Sequence, residues 1–243
     1  MRKIYAWLPL LCCSAAAYAE GGHWQLGTGL AGYSYSTYTT NWADSDLVLG
    51  GREDVAETQA LTTVGQNLSL QYMNNRWGFR FVDNTTNNQL SGFFAIMPNV
   101  YAEVDLSMNH NRTRNKKFSV VTDDTKNFVW ALGAGARYYH QHDTCIMDMG
   151  GVLQYGRAYN STYNSDADSE TTTNLKVLNL ELHANYYRAV MDHLYVGGGL
   201  TLSGNLSAKQ TKEIATTDAT TSGDAARKGY ALDLEIVGIR VTF

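Results

Sequence analysis

Residues 100–109 read VYAEVDLSMN. Val100, Ala102, Val104, Leu106 and Met108 share one parity, and Tyr101, Glu103, Asp105, Ser107 and Asn109 the other. Side chains alternate across a strand, so a strand separates the two sets onto opposite faces, whereas a helix would scatter both around its circumference. Residues 176–188, KVLNLELHANYYR, repeat the pattern, with Leu178, Leu180, Leu182, Ala184 and Tyr186 opposite Asn179, Glu181, His183 and Asn185.

Comparable two-faced stretches recur near 24–38, 62–72, 77–83, 90–96, 128–140, 146–160, 194–208 and 229–243. Short links (MNNR, MPN, HQHDTC, VMDH) take turns with long polar ones at 39–59, 111–127, 161–174 and 209–228, and a shorter polar link covers 84–89. An antiparallel meander gives this alternation when its two ends face different environments, with tight turns on one side and loops on the other. The pattern predicts an all-β, transmembrane antiparallel up-and-down β-barrel of about ten strands, with eight or twelve as the neighbouring alternatives. Backbone chemistry supports closure, because in lipid every N–H and C=O must be paired and a barrel leaves no edge.

The chain opens MRKIYAWLPLLCCSAAAYAE: Arg2 and Lys3, an apolar run, then Ala17 and Ala19 on a small-residue ending. That is the layout of a cleavable signal peptide over residues 1–19, with the barrel expected over 20–243. No later window approaches the roughly 18 to 20 apolar residues of a transmembrane helix. Cleavage would leave Cys145 as the one cysteine of three, which excludes a disulfide within the mature chain. A formal net charge of −4 argues against a nucleic-acid partner.

The leader, the two-faced strands and the terminal IVGIRVTF together resemble a small Gram-negative outer-membrane β-barrel protein, over the whole mature chain. The resemblance implies a cell outer-membrane location, contact with lipopolysaccharide, and a final strand read by the barrel-assembly machinery through Val237, Ile239, Val241 and Phe243. It extends loosely to solitary barrels of autotransporter type, although no passenger is expected before residue 20. Porin-like and surface-exposed roles belong to the same class. Counting back from Phe243 places Asp233 and Glu235 on the lipid parity, while Tyr230, Leu232, Leu234 and Ile236 are apolar on the other. A β-bulge between Glu235 and Val237 would reconcile the two halves, since one extra residue flips the facing.

If the apolar face looks out, Arg80, Glu103, Asp105, Arg137, Asp148, Glu181, His183, Asp233 and Glu235 line the lumen. A barrel of this size is nearly filled by its own side chains, and unpaired buried charges are costly, so a polar, salt-bridge-filled lumen is expected over a narrow passive pore. Interface girdles are expected from Tyr72, Trp77, Tyr138, Tyr186 and Phe243 near the short turns, and from Tyr35, Phe128, Trp130 and Tyr155 towards the loops.

An outer-membrane hydrolase is the remaining alternative, with His110, Asp123, Asp124 and Asp83 near the rim, but no second element supplies a dyad partner. His140, His142, Asp143 and Cys145 mix ligand types without four convergent groups, so neither a metal nor a cofactor is expected. Arg112, Arg114, Lys116 and Lys117 are placed to meet lipopolysaccharide phosphates. The reading is a non-enzymatic integral barrel with a structural or surface-interaction role and an unassigned surface ligand.

Overall fold

The computed structural model describes residues 22–42, 53–63, 67–84, 88–117, 120–165 and 167–243. The expected signal peptide lies outside the described residues. Eleven strands follow in order: β1 (His23–Trp42), β2 (Glu53–Thr63), β3 (Asn67–Met73), β4 (Trp77–Asn84), β5 (Asn88–Met97), β6 (Val100–Lys117), β7 (Val120–His142), β8 (Cys145–Asn164), β9 (Ser169–Met191), β10 (Leu194–Thr216) and β11 (Thr220–Thr242).

From β3 to β11 each strand pairs antiparallel with the next, and β11 closes on β1 from Gln25↔Thr242 to Trp42↔Ala225. The other edge of β1 carries two strands end to end, β3 along His23–Thr28 and β2 along Ala31–Asn41. They fill one stave, so eleven strands close as ten staves. The barrel is transmembrane in kind: large apolar side chains such as Val104, Leu132, Leu153, Leu182, Leu202 and Ile236 are exposed on its outer wall. A belt of this sort is stable only against lipid.

The short turns are set by residues that tolerate a left-handed backbone. Met97 pairs with Val100 across Pro98-Asn99, with Asn99 at φ 63°, and Met191 pairs with Leu194 across Asp192-His193, with His193 at φ 66°. The final strand carries the expected bulge: Gly238 pairs with Gly197 but Glu235 pairs with Gly199, so β11 has one residue more than β10 over this span. Ile236 and Val237 then follow each other on the lipid face, and Glu235 and Gly238 both turn inward. A Cβ on Gly238 would meet the Glu235 carboxylate, so a larger residue there would push that side chain aside.

The described residues of the polar links at 111–127, 161–174 and 209–228 are mostly strand and not loop. β6 and β7 stay paired to Lys117↔Val120, β8 and β9 to Asn164↔Ser169, and β10 and β11 to Ala215↔Thr220. These segments are polar on both faces, so no alternation betrays them. Backbone pairing and runs such as Glu170-Thr-Thr-Thr173 carry them as strands beyond the apolar belt. The rim is uneven: β7, β9, β10 and β11 each have 23 residues, whereas β4 has 8 and β5 has 10.

Candidate functional site in the barrel lumen

Alternation along the staves delivers the inward residues in layers. One layer runs by register through Gln25, Gln71, Arg80, Ser91 and Asp105. Another passes from Arg137 through Gly150, His183, Thr201 and Asp233 to Ser34. Glu103, Asp105, Arg137, Asp148 and His183 are buried, and Arg80, Glu181 and Glu235 are half-buried. Asp233 remains exposed to the upper lumen and accepts a hydrogen bond from Ser34 Oγ.

Arg137 is the hub. Its Nε donates to Asp148 Oδ1 at 2.6 Å, and its Nη2 donates to Asp148 Oδ2 and, at 3.1 Å, to Gln71 Oε1. Its guanidinium lies 4.4 Å over the Phe93 ring and 5.6 Å from that of Tyr139. Glu103 Oε1 stands 3.5 Å from Arg80 Nη2 and 3.9 Å from Arg137 Nη1. His183 Nε2 lies 3.5 Å from Asp148 Oδ1 without a hydrogen bond. Gln154 Nε2 donates to Glu181 Oε2 at 3.4 Å.

A second cluster sits at the bulge. Tyr187 Oη donates to Glu235 Oε1, Arg240 Nη2 donates to Tyr187 Oη at 2.5 Å, and the Arg240 guanidinium lies 4.4 Å over the Tyr187 ring. Parity alone would have placed Arg240 inward, because it alternates with Ile239 and Val241.

Between the clusters lies a polar cavity of about 170 Å³, lined among others by Gln25, Gln71, Arg80, Asp148, Asn185, Glu235 and Arg240. Both oxygens of Asp105, Oε2 of Glu103 and Nε of Arg80 are buried without a hydrogen bond among the described residues.

The expectation of a polar lumen needs correction at the end of the short turns. Met73, Phe93, Tyr101, Tyr139, Ile146, Tyr187 and Tyr195 are buried together across that mouth as an aromatic floor. Polar contacts at its edge fix the rings: Tyr101 Oη donates to the Asn74 carbonyl at 3.1 Å and Tyr139 Oη to Gln141 Oε1 at 2.8 Å. Apolar character on the inward parity was the available signal, and it was scattered over many strands.

Of the expected girdle, Tyr72 and Trp77 pack with Trp24 and Phe79, which the sequence reading did not single out, as one outward cluster, with Tyr72 centred 5.0 Å from Trp77 and 5.2 Å from Trp24. Towards the rim Trp130 meets Tyr155 at 5.9 Å. The rim acids do not assemble with histidine: His110 faces outward beside Phe128 at 6.4 Å, Asp123 has the opposite parity, and Asp124 is held by Arg112 and Arg114. His140 and His142 stack at 6.3 Å, and among the described residues no group of three or more His, Cys, Asp or Glu is placed to hold a metal.

No protein-family model and no curated protein matches the chain. Among solved structures, the outer membrane protease OmpT from Escherichia coli is similar with a TM-score of 0.43 at 10% identity, over 91% of this chain and 96% of that one. A major outer membrane protein from Thermus thermophilus gives 0.40 at 9% identity, over 88% and 99%. The translocator domain of the autotransporter NalP from Neisseria meningitidis gives 0.34 at 13%, over 98% and 95%. At such scores the conclusion rests on the hydrogen-bonded ring and its apolar belt: the chain is an outer-membrane-type, antiparallel up-and-down β-barrel.

Proposed function

We infer that the protein is a closed, non-enzymatic outer-membrane barrel that holds its surface hairpins above the bilayer for a structural or surface-interaction role. The observation that carries this reading is the two-part plug, with the Arg137–Asp148 ion pair resting on the floor of Phe93 and Tyr139. A passive pore needs a continuous hydrated path, and an apolar floor under desolvated ion pairs opposes one. The leader delivers the chain to the periplasm, IVGIRVTF serves as its address for the assembly machinery, and lipopolysaccharide surrounds the outer wall.

Planar-bilayer recording tests the plug. The wild-type barrel should show no steady unitary current, and Phe93→Ala with Tyr139→Ala should introduce one. A steady unitary conductance in the wild type would overturn the reading in favour of the narrow pore.

A further inference from the structure

Gln25, Gln71 and Arg80 are direct cross-strand neighbours on the adjacent staves β1, β3 and β4, and all three line the polar cavity of about 170 Å³. Each carries a buried N–H donor with no hydrogen bond among the described residues: Gln25 Nε2, Gln71 Nε2 and Arg80 Nε. The Gln71 amide cannot turn over to hide its donor, because its Oε1 accepts from Arg137 Nη2 at 3.1 Å. Residues directly opposite each other on paired strands stand about 5 Å apart, so the donors form a row roughly 10 Å long. Buried donors left unmet are costly, and a row of them calls for a row of acceptor oxygens.

The charges around the cavity select the kind of acceptor. Arg137 is matched by Asp148, Arg80 by Glu103 at 3.5 Å and Arg240 by Glu235 at 3.5 Å. Asp105, Glu181 and Asp233 face the same lumen with no ion pair among the described residues. An entering carboxylate or phosphate would therefore meet a surplus of negative charge, and an entering cation would find N–H donors turned towards it. Hydroxyl groups are neutral, accept from the donor row, and donate to the Glu235 carboxylate and Asn185 amide that line the cavity from β11 and β9. The space is smaller than the roughly 300 to 1,000 Å³ of sites for drug-sized ligands, so the solute is compact. The floor beneath is packed tight, with Phe93 and Tyr187 buried, and a barrel serving only as a plug would gain stability by filling this void too.

We propose that the luminal cavity is a binding site for a compact, neutral polyhydroxyl solute of monosaccharide size, held by the donor row of Gln25, Gln71 and Arg80.

Saturation-transfer NMR on the barrel refolded in a sugar-free phosphocholine detergent tests it, with glucose, acetate and ethylammonium as separate probes. Wild type should give saturable transfer to glucose and none to either ion. Gln25→Leu removes one donor without touching an ion pair, and it should weaken glucose binding roughly two- to tenfold, the equivalent of one hydrogen bond. Val82→Phe, on the cavity wall, should fill the space and abolish binding. Gln154→Leu, in the lumen but not among the residues lining the cavity, should leave it unchanged. A preference for acetate or ethylammonium would overturn the proposal. So would the absence of saturable glucose transfer, which would leave the cavity to water alone, or an effect of Gln154→Leu equal to that of Gln25→Leu. Heat-resistant migration in detergent gels checks that each variant closes, and should Val82→Phe fail to close, Gln25→Leu decides the question. A steady wild-type conductance in planar bilayers would count against the closed reading of the barrel and not against this site.

Discussion

Arg137 and Asp148, diagonal neighbours across the β7–β8 hairpin, form a two-bond ion pair that is almost wholly withdrawn from solvent, with Arg137 1% and Asp148 8% exposed. Such a pair is costly to halve and cheap to replace, because truncating one partner strands the other charge in a low-dielectric site. Asp148→Ala should therefore destabilise the barrel by about 3 to 5 kcal/mol. The double variant Arg137→Met with Asp148→Leu should cost less than Asp148→Ala alone. Urea unfolding in lipid vesicles measures both, and a double variant worse than either single would reject the isolated-charge account.

Asp105 is the reverse case. It is 2% exposed and neither carboxylate oxygen has a hydrogen-bond partner among the described residues. Burying an unsatisfied polar group costs about 1 to 3 kcal/mol and a charged one more, so Asp105→Asn should raise the unfolding midpoint. A lowered midpoint would mean that the charge on Asp105 stabilises the neighbouring Arg80 guanidinium.

The facing of β9 is testable by charge. Leu182 lies mid-belt between Leu178 and Arg188 and is exposed on the outer wall. Leu182→Arg should cost about 2 to 4 kcal/mol, falling towards about 0 to 1 for Leu178→Arg near the interface. Leu180→Arg should lie between them, and Asn179→Arg, which points into the lumen, should be milder than Leu180→Arg. Equal costs at 179 and 180 would reject the assigned face.

Above the membrane, hydrogen bonds from Lys209 and Thr211 hold the Asp224 carboxyl below the usual carboxylate range. A carboxylate whose folded pKa is depressed contributes stability that is present above its unfolded pKa and is lost as pH falls through the folded value. The Lys209–Asp224 pair is solvent-exposed and therefore weak, so the β10–β11 hairpin should keep most of its amide protection at all pH values and lose a small part of it in acid, below the ordinary carboxylate titration. In Asp224→Asn that acid step should vanish from the hydrogen-exchange profile around Lys209. Persistence of the step would assign it to another acid of the hairpin.

Phe243 and Trp24 exchange both backbone hydrogen bonds at 3.0 Å, sealing the seam at the end of the short turns. Deleting Phe243 removes that pair and one ring, a loss of roughly 1.5 to 3 kcal/mol in apolar burial, against a seam that otherwise runs up to Trp42↔Ala225. Refolding of the purified truncated chain should be mildly impaired, whereas the amount of heat-modifiable protein in cells should fall sharply. Normal assembly in cells would leave Phe243 as an interface anchor and remove its role as an address.

Strand facing was legible because it is local: Val104 and Glu103 are assigned to opposite sides by a period of two, whatever the rest of the chain does. The bulge at Ile236 was legible for the same reason, since acids and apolar residues exchange parity within one strand. Other features depend on which residues share a level of the ring. Phe93, Ile146 and Tyr187 are far apart in sequence, and nothing near any of them marks an inward apolar residue as part of a floor until closure brings the staves to one height. Arg137 meets Asp148 within a hairpin, but its bond to Gln71 spans 66 residues and exists only because the ring is complete. The hairpins above the membrane were hidden because backbone pairing, which side-chain polarity does not report, holds them. The alternation of the chain thus determined by itself that this is a lipid-facing barrel with a charged interior. Strand register and ring closure decided where that interior is sealed and which charges are paired.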